Sequence, residues 1–470
     1  MKSMNKKVVS IATSIILAAS FITGCNKTNN QDSQAVFNNI KSETKIENMS
    51  NTIKELTSEK YEGRLTGSLE NKMAGDFIAE HFKKIGLQSP KDINDFMQYY
   101  KQNTIKMKNR PLMKTFDSSN NILKEYQFLD NFYFTLAAHR KINGVVAAPM
   151  YYVSKESDLN KDNKELENRV LLIPKEVYLN KNISDFDNIL NLVPSIKALV
   201  IERDKNDPKQ FEAGYFMNPV NVPSPTSINN DGTFMVMCDS PTFLELKASA
   251  EKEQSLYLEA SYEIETKEVA NIVGMIPGSD PKLKDEYIMI SCHYDHIGNN
   301  MNGTYNPGAF DNASGTSVMM EVARILKAKD IKPKKSIIFV AFNGEENGLI
   351  GSNKFAFNPP CDLSKTVDIN LDMVAGKNDL PLTFYSTKDS DLINDLSVYA
   401  DKLKIAHDKK TGNRSDHTSI EDMGGQAVTL TEWDMKSGYH SPKDTIDIID
   451  TKELGKIADF ICYYITNKAL

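Results

Sequence analysis

Tyr287-Ile288-Met289-Ile290-Ser291-Cys292-His293-Tyr294-Asp295 decides the fold. An unbroken apolar run reads as a strand buried on both faces, and a histidine and an aspartate come where it ends. Ser336 to Phe342 and Val367-Asp368-Ile369-Asn370-Leu371 are runs of the same kind. Between and after them lie helical patterns. Thr316 to Lys327 puts Val318, Met319, Val322, Ile325 and Leu326 on one face, and Asp391 to Leu403 and Thr451 to Thr466 also read as helices. This alternation predicts an α/β fold, a mostly parallel central sheet with helices on both faces. Sites in such sheets form at the carboxyl ends of strands, where His293, Glu345 and Asp372 fall.

Four more segments join the first: Gly308-Ala309-Phe310-Asp311-Asn312-Ala313-Ser314-Gly315, Asn343-Gly344-Glu345-Glu346, Asn370-Leu371-Asp372-Met373 and Gly438-Tyr439-His440-Ser441-Pro442. Together they hold imidazoles, carboxylates for metal binding and a spare carboxylate for proton transfer. His293 can offer one ring nitrogen to a metal while Asp295 accepts the other N–H and fixes the tautomer. His296 reads as a supporting or surface residue. Asp311 sits in a turn of small residues, where it can lend one oxygen to each of two metals, or where it or Asn312 can cap the next helix. Glu345 and Glu346 diverge in extended chain, so that one coordinates metal and the other reaches a water. Asp372 in an apolar run needs a partner, a cation or a salt bridge. His440 lies in a Gly/Ser/Pro loop, where functional histidines are at home. Histidines and carboxylates without thiolate suit zinc or another borderline divalent ion.

The chain has 470 residues, a net charge of -7, 40% hydrophobic and 25% charged residues. Its length predicts two domains, or one with a large insertion. The acidic balance and dispersed lysines argue against a nucleic-acid partner. Lys2, Lys6 and Lys7 precede an apolar stretch, Val8 to Ile22, that is short for a membrane span and reads as a signal peptide over 1–24. Ile22-Thr23-Gly24-Cys25 resembles the bacterial lipoprotein cleavage box. That resemblance implies lipidation of Cys25 and an extracytoplasmic, membrane-anchored protein, with a secreted form as the alternative. Cys238, Cys292, Cys361 and Cys462 show no metal-site spacing.

Residues 25–48, polar and poor in apolar positions, read as a flexible tether. Glu70 to Ile85 reads as a helix with Met73, Phe77, Ile78, Phe82 and Ile85 on one stripe, stopped at Gly86. From 109 to 265 short β-like runs appear (144–148, 169–173, 198–201 and 234–237), separated by polar stretches such as 221–225. This part reads as a mostly β insert that divides a main domain of residues 49–108 and 266–470.

On the five segments, and on Tyr61-Glu62-Gly63-Arg64-Leu65-Thr66-Gly67-Ser68, the chain resembles the M28 family of co-catalytic zinc aminopeptidases. The resemblance implies two Zn2+ ions, with Co2+ or Mn2+ as alternatives. One is held by His293, Asp311 and Asp372, the other by Asp311, Glu346 and His440, and a water bridges them. It implies Glu345 as general base, Asp295 as support of His293, and a cis peptide at Asp311-Asn312. Tyr439 is the residue expected to stabilise the oxyanion. Arg414-Ser415-Asp416-His417 resembles a pocket motif, with Arg414 as a substrate contact and Asp416 and His417 supporting the site. The insert more loosely resembles a protease-associated domain. Peptides are the implied substrates. A dipeptidase or carboxypeptidase on the same scaffold, or a non-catalytic surface binding lipoprotein, are the competing readings.

Overall fold

The computed structural model describes residues 34–134, 143–178, 190, 193–203 and 233–470. The signal-peptide segment, Cys25 and the 221–225 stretch lie outside the described residues.

Alternation of burial builds the main layer. Strands β9 (Tyr287–His293) and β10 (Ser336–Phe342) run parallel, and β9 also pairs in parallel with β11 (Thr366–Leu371). Odd positions of β10, Ile337, Phe339 and Ala341, enter one apolar core, and even positions, Ile338, Val340 and Phe342, enter another on the opposite face. Such a strand must be apolar throughout, which is why the run has no polar alternation. The sheet continues through β14 (Gln426–Thr431), β12 (Leu382–Ser386) and β13 (His407–Thr411), with β12 antiparallel to β14. The fold is the expected α/β arrangement.

The larger core lies under helices α1 (residues 34–41), α2 (Ile46–Leu56), α3 (Leu69–Ile85), α4 (Ser314–Ala328) and α5 (Thr451–Lys468). Phe37 and Ile40 of α1 are buried in it, and Phe37 meets Tyr463 edge to face at 4.7 Å. The expected tether is therefore corrected for residues 34–48, because two apolar side chains one turn apart suffice to dock this short helix. α3 is capped by Ser68, which accepts from Asn71 N–H, and it ends at Gly86 in the left-handed region (φ 79°).

The expected boundaries at 109 and 265 are corrected as well. β1 (Met97–Phe116) and β8 (Ser255–Ile276) pass both positions as one long antiparallel ribbon. Pairing slips only between Met107 and Leu112, around Pro111, which cannot donate to a ladder. The ribbon joins the main sheet to a second sheet through β8 and β4 (Gly144–Tyr152). There β4, β5 (Val170–Ile173), β6 (Ala198–Arg203) and β7 (Phe234–Asp239) pair in parallel, with a helix over Ser240–Ala250 packed on them. This part is thus α/β rather than mostly β. It has a core of its own, drawn from residues between Ile105 and Tyr262.

Candidate metal centre

β9 ends at His293 and β11 one residue before Asp372, so both side chains emerge at the carboxyl edge of the sheet. His293 is buried, and its Nε2 lies 3.3 Å from Asp311 Oδ1 and 3.3 Å from Asp372 Oδ1. The other oxygen of Asp311, Oδ2, is 3.2 Å from His440 Nε2, which lies 3.0 Å from Glu346 Oε2. Two ligand groups result, each able to hold a metal ion: His293, Asp311 and Asp372, and His296, Asp311, Glu346 and His440. Asp311 belongs to both, with one oxygen in each.

The turn that carries Asp311 is built for this. Gly308 adopts a left-handed conformation (φ 63°), and the Asp311-Asn312 peptide is cis, as the family resemblance implied. Asn312 Oδ1 accepts from Gly315 N–H at 3.0 Å, so capping and metal binding are both served here. A Cβ at Gly315 would collide with the Leu371 carbonyl, which explains the small residue between this helix start and β11.

The electrostatics fit a cation. Burial opposes ionisation of Asp311, but His293 and His440 hold its carboxyl well below the usual range. Burial works the same way on Glu346, and His440 and His296 bring it down to about 2. Burial would lower His440, yet Glu346 and Asp311 carry it up to about 10. Its Nε2 is buried and makes no hydrogen bond, although two carboxylate oxygens lie close. Close approach without hydrogen-bond alignment, in a cluster of hard and borderline donors, suits a shared divalent ion.

Glu345 lines the same cavity, about 420 Å³, together with His293, Asp311 and Asp372. Burial first, then Asp372, Asp416 and Glu346, push its carboxyl well above the usual range, with His293 pulling the other way. Tyr439 also lines the cavity and stacks on His440 with centroids 3.8 Å apart. Burial and the surrounding carboxylates raise its phenol, so it remains a donor. Arg414 lines the cavity and is exposed.

The three expected supports are Asp295, Asp416 and His417. His293 Nδ1 lies 3.7 Å from Asp295 Oδ1 and instead donates to the Asp295 backbone carbonyl at 3.3 Å. The Asp295 carboxylate accepts from Glu345 N–H (3.2 Å), Glu346 N–H (3.3 Å) and the Thr66 hydroxyl (3.0 Å), so it holds the glutamate loop while standing within ion-pair distance of the imidazole. His417 bonds Thr429 Oγ1 (2.8 Å) and the Gly412 carbonyl (3.1 Å) away from the metal groups. Asp416 is buried behind the site, where burial raises it to about 7. Ser415, between Arg414 and Asp416 and not singled out from the sequence, is the residue that donates to Asp372 Oδ2, at 2.8 Å. Also missed were the roles of Arg64, which lies inside the Tyr61–Ser68 stretch, and of Asp444, two residues past Pro442, whereas His296, read as a supporting or surface residue, is buried beside the second ligand group.

The model of peptidase family M28 matches residues 271–465. Aminopeptidase YwaD of Bacillus subtilis (strain 168) is 29% identical over 278 residues, 56% of this chain and 55% of that protein. A glutamate carboxypeptidase 2 homolog of Caenorhabditis elegans is 28% identical over 43% of this chain and 30% of its own length. The chain thus spans about half the length, or less, of these curated relatives. The fold matches an aminopeptidase from Aneurinibacillus sp. strain AM-1, with a TM-score of 0.68, 22% identity, and coverage of 92% of this chain and 96% of that one. Residues 271–465 thus carry the sequence pattern of peptidase family M28, and the fold around them is that of the matched aminopeptidase structure.

Proposed function

We propose that this protein is a two-zinc metallopeptidase that removes N-terminal residues from peptides. The observation that carries this reading is the sharing of Asp311 between two ligand groups, with Glu345 facing the same cavity. A pair of divalent cations, when bound, supplies Lewis acidity and a water of lowered pKa. Glu345 takes a proton from the attacking water and returns it to the leaving amine nitrogen. The Tyr439 hydroxyl donates to the carbonyl oxygen as negative charge develops there. Met373, Tyr385, Trp433 and Met435 line the cavity and offer an apolar seat for a side chain.

A carboxypeptidase or dipeptidase is the second reading, favoured by Arg414 at the cavity, since a guanidinium suits a peptide carboxylate. A non-catalytic binding protein would have no use for Glu345. The test is hydrolysis of amino-acyl and N-blocked substrates with and without chelator, with Glu345→Gln alongside. Chelator-sensitive cleavage of free-amino substrates only is expected, and the variant should lose about 10²–10⁴-fold in turnover with unchanged metal content. Cleavage of N-blocked peptides only would install the carboxypeptidase, and cleavage of free dipeptides only the dipeptidase.

Anchoring at the extracytoplasmic face of the cell membrane through lipid on Cys25 is part of this proposal. It is supported by the basic and apolar segments ahead of Ile22-Thr23-Gly24-Cys25. Among the described residues no helix is long and apolar enough to cross a membrane. Cys25→Ala should move the protein from the membrane to the soluble fraction; retention of the variant on the membrane would refute the anchor.

A further inference from the structure

His296 is fully buried beside the second ligand group. Its Nδ1 lies 2.7 Å from Glu346 Oε1 and 3.9 Å from Asp311 Oδ2. Its Nε2 is buried with no hydrogen-bond partner. These facts select a tautomer. With the proton on Nε2, a buried N–H would go unmet and the Nδ1 lone pair would face a carboxylate, at a cost of about 1–3 kcal/mol for the orphaned donor alone. With the proton on Nδ1, the ring donates to Glu346 Oε1 at 2.7 Å, and Nε2 is left over as an acceptor rather than as a buried donor facing no oxygen.

The ring is also fixed in place. The His296 backbone N–H donates to the Arg64 carbonyl at 3.3 Å, and the ring meets His440 edge to face with centroids 5.4 Å apart. The Gly308 turn packs so closely that a Cβ there would lie 2.6 Å from His296 Cδ2. A rigid donor on one oxygen of Glu346 leaves the other, Oε2, toward His440 Nε2 at 3.0 Å.

We infer that His296 is a positioning residue which holds Glu346 by its Oε1 and thereby sets the cation affinity of the group formed by Asp311, Glu346 and His440. The inference rests on the metallopeptidase reading. A hydrogen bond already made at Nδ1 occupies the nitrogen that could otherwise coordinate, so His296 supports a ligand instead of serving as one.

The test is titration of the metal-free full chain with Zn2+ against a competing chromophoric chelator, for the wild type, H296A and H296N. The asparagine amide can place an N–H near the position of Nδ1. The wild type should bind two equivalents. In H296A the affinity for one equivalent should fall about 10–100-fold while the other is unchanged, and H296N should recover most of the loss. Retention of the unaffected equivalent shows that the variant is folded, and H296L, which fills more of the ring's volume, replaces H296A if the alanine protein does not fold. Wild-type affinity in H296A would overturn the inference. Equal loss in H296A and H296N would overturn it too, and would make the ring a direct ligand. Absence of zinc binding by the wild type would instead sink the metallopeptidase reading itself.

Discussion

Asp444 holds the backbone of Asp311, although 133 residues separate them: Asp444 Oδ2 accepts the Asp311 N–H at 3.1 Å. Its Oδ1 accepts the Phe310 N–H at 2.6 Å. The carboxylate so fixes the turn that presents one Asp311 oxygen to each ligand group. In Asp444→Asn an amide N–H2 would face one of these donors. Stability should fall by about 1–3 kcal/mol in urea denaturation, and zinc affinity should weaken with it. An unchanged denaturation midpoint would show that Asp444 does not carry the turn.

Asp295 plays the matching part for the glutamate loop, accepting from both Glu345 and Glu346 N–H groups. Asp295→Asn should reduce activity about 10–100-fold, by loosening Glu345 and Glu346, while zinc bound by His293 and Asp372 persists. Activity measured at saturating zinc checks this, because a pure metal-affinity defect would be restored there.

Arg64 is fully buried and donates to four carbonyls: Nε to Tyr294 (2.8 Å), Nη1 to Leu56 (2.8 Å) and Pro307 (2.7 Å), and Nη2 to Gly308 (2.9 Å). Burial lowers its pKa to about 10, against the pull of Asp444 and other carboxylates, so it stays charged near neutrality. A lysine ammonium has three donors on one atom and cannot serve this fork. Arg64→Lys should cost at least about 2 kcal/mol, from carbonyls left unmet, as read by chemical denaturation.

Glu432 gives a pH signature. Its carboxylate accepts from Ala375 N–H (2.9 Å) and Gly376 N–H (2.7 Å), yet burial raises its pKa to about 7. Between its ordinary value of 4.5 and about 7 the folded state holds a proton that the unfolded state has lost. Stability from this group is therefore fully present below pH 4.5 and declines as pH rises through 7. Glu432→Gln removes the term, so the melting temperature of the variant relative to the wild type should rise from pH 5 to pH 8. A pH-independent difference would exclude this assignment.

What could be read from the chain alone were features written in local pattern. Apolar runs gave β9, β10 and β11, because strands buried on both faces must be apolar at every position. Helical periodicity placed α3, where Gly86 ends the helix, and α4, observed as Ser314–Ala328. His293, Asp311, Glu346, Asp372 and His440 stood out because acidic and imidazole groups at strand ends and in glycine turns are costly unless something binds them.

The β1 and β8 ribbon was not legible, since its outward faces are polar and its pairing partners lie more than a hundred residues apart. Nor were the roles of Ser415, Asp444 and Arg64, each of which acts on a residue brought near only by the fold, and for His296 the sequence left a supporting and a surface place open. The sequence by itself determined which side chains can bind a cation, because charge and donor type are properties of single residues. Only the tertiary structure decided which carboxylate oxygen faces which imidazole and which buried donor holds it there, because hydrogen-bond direction depends on how distant backbone segments pack.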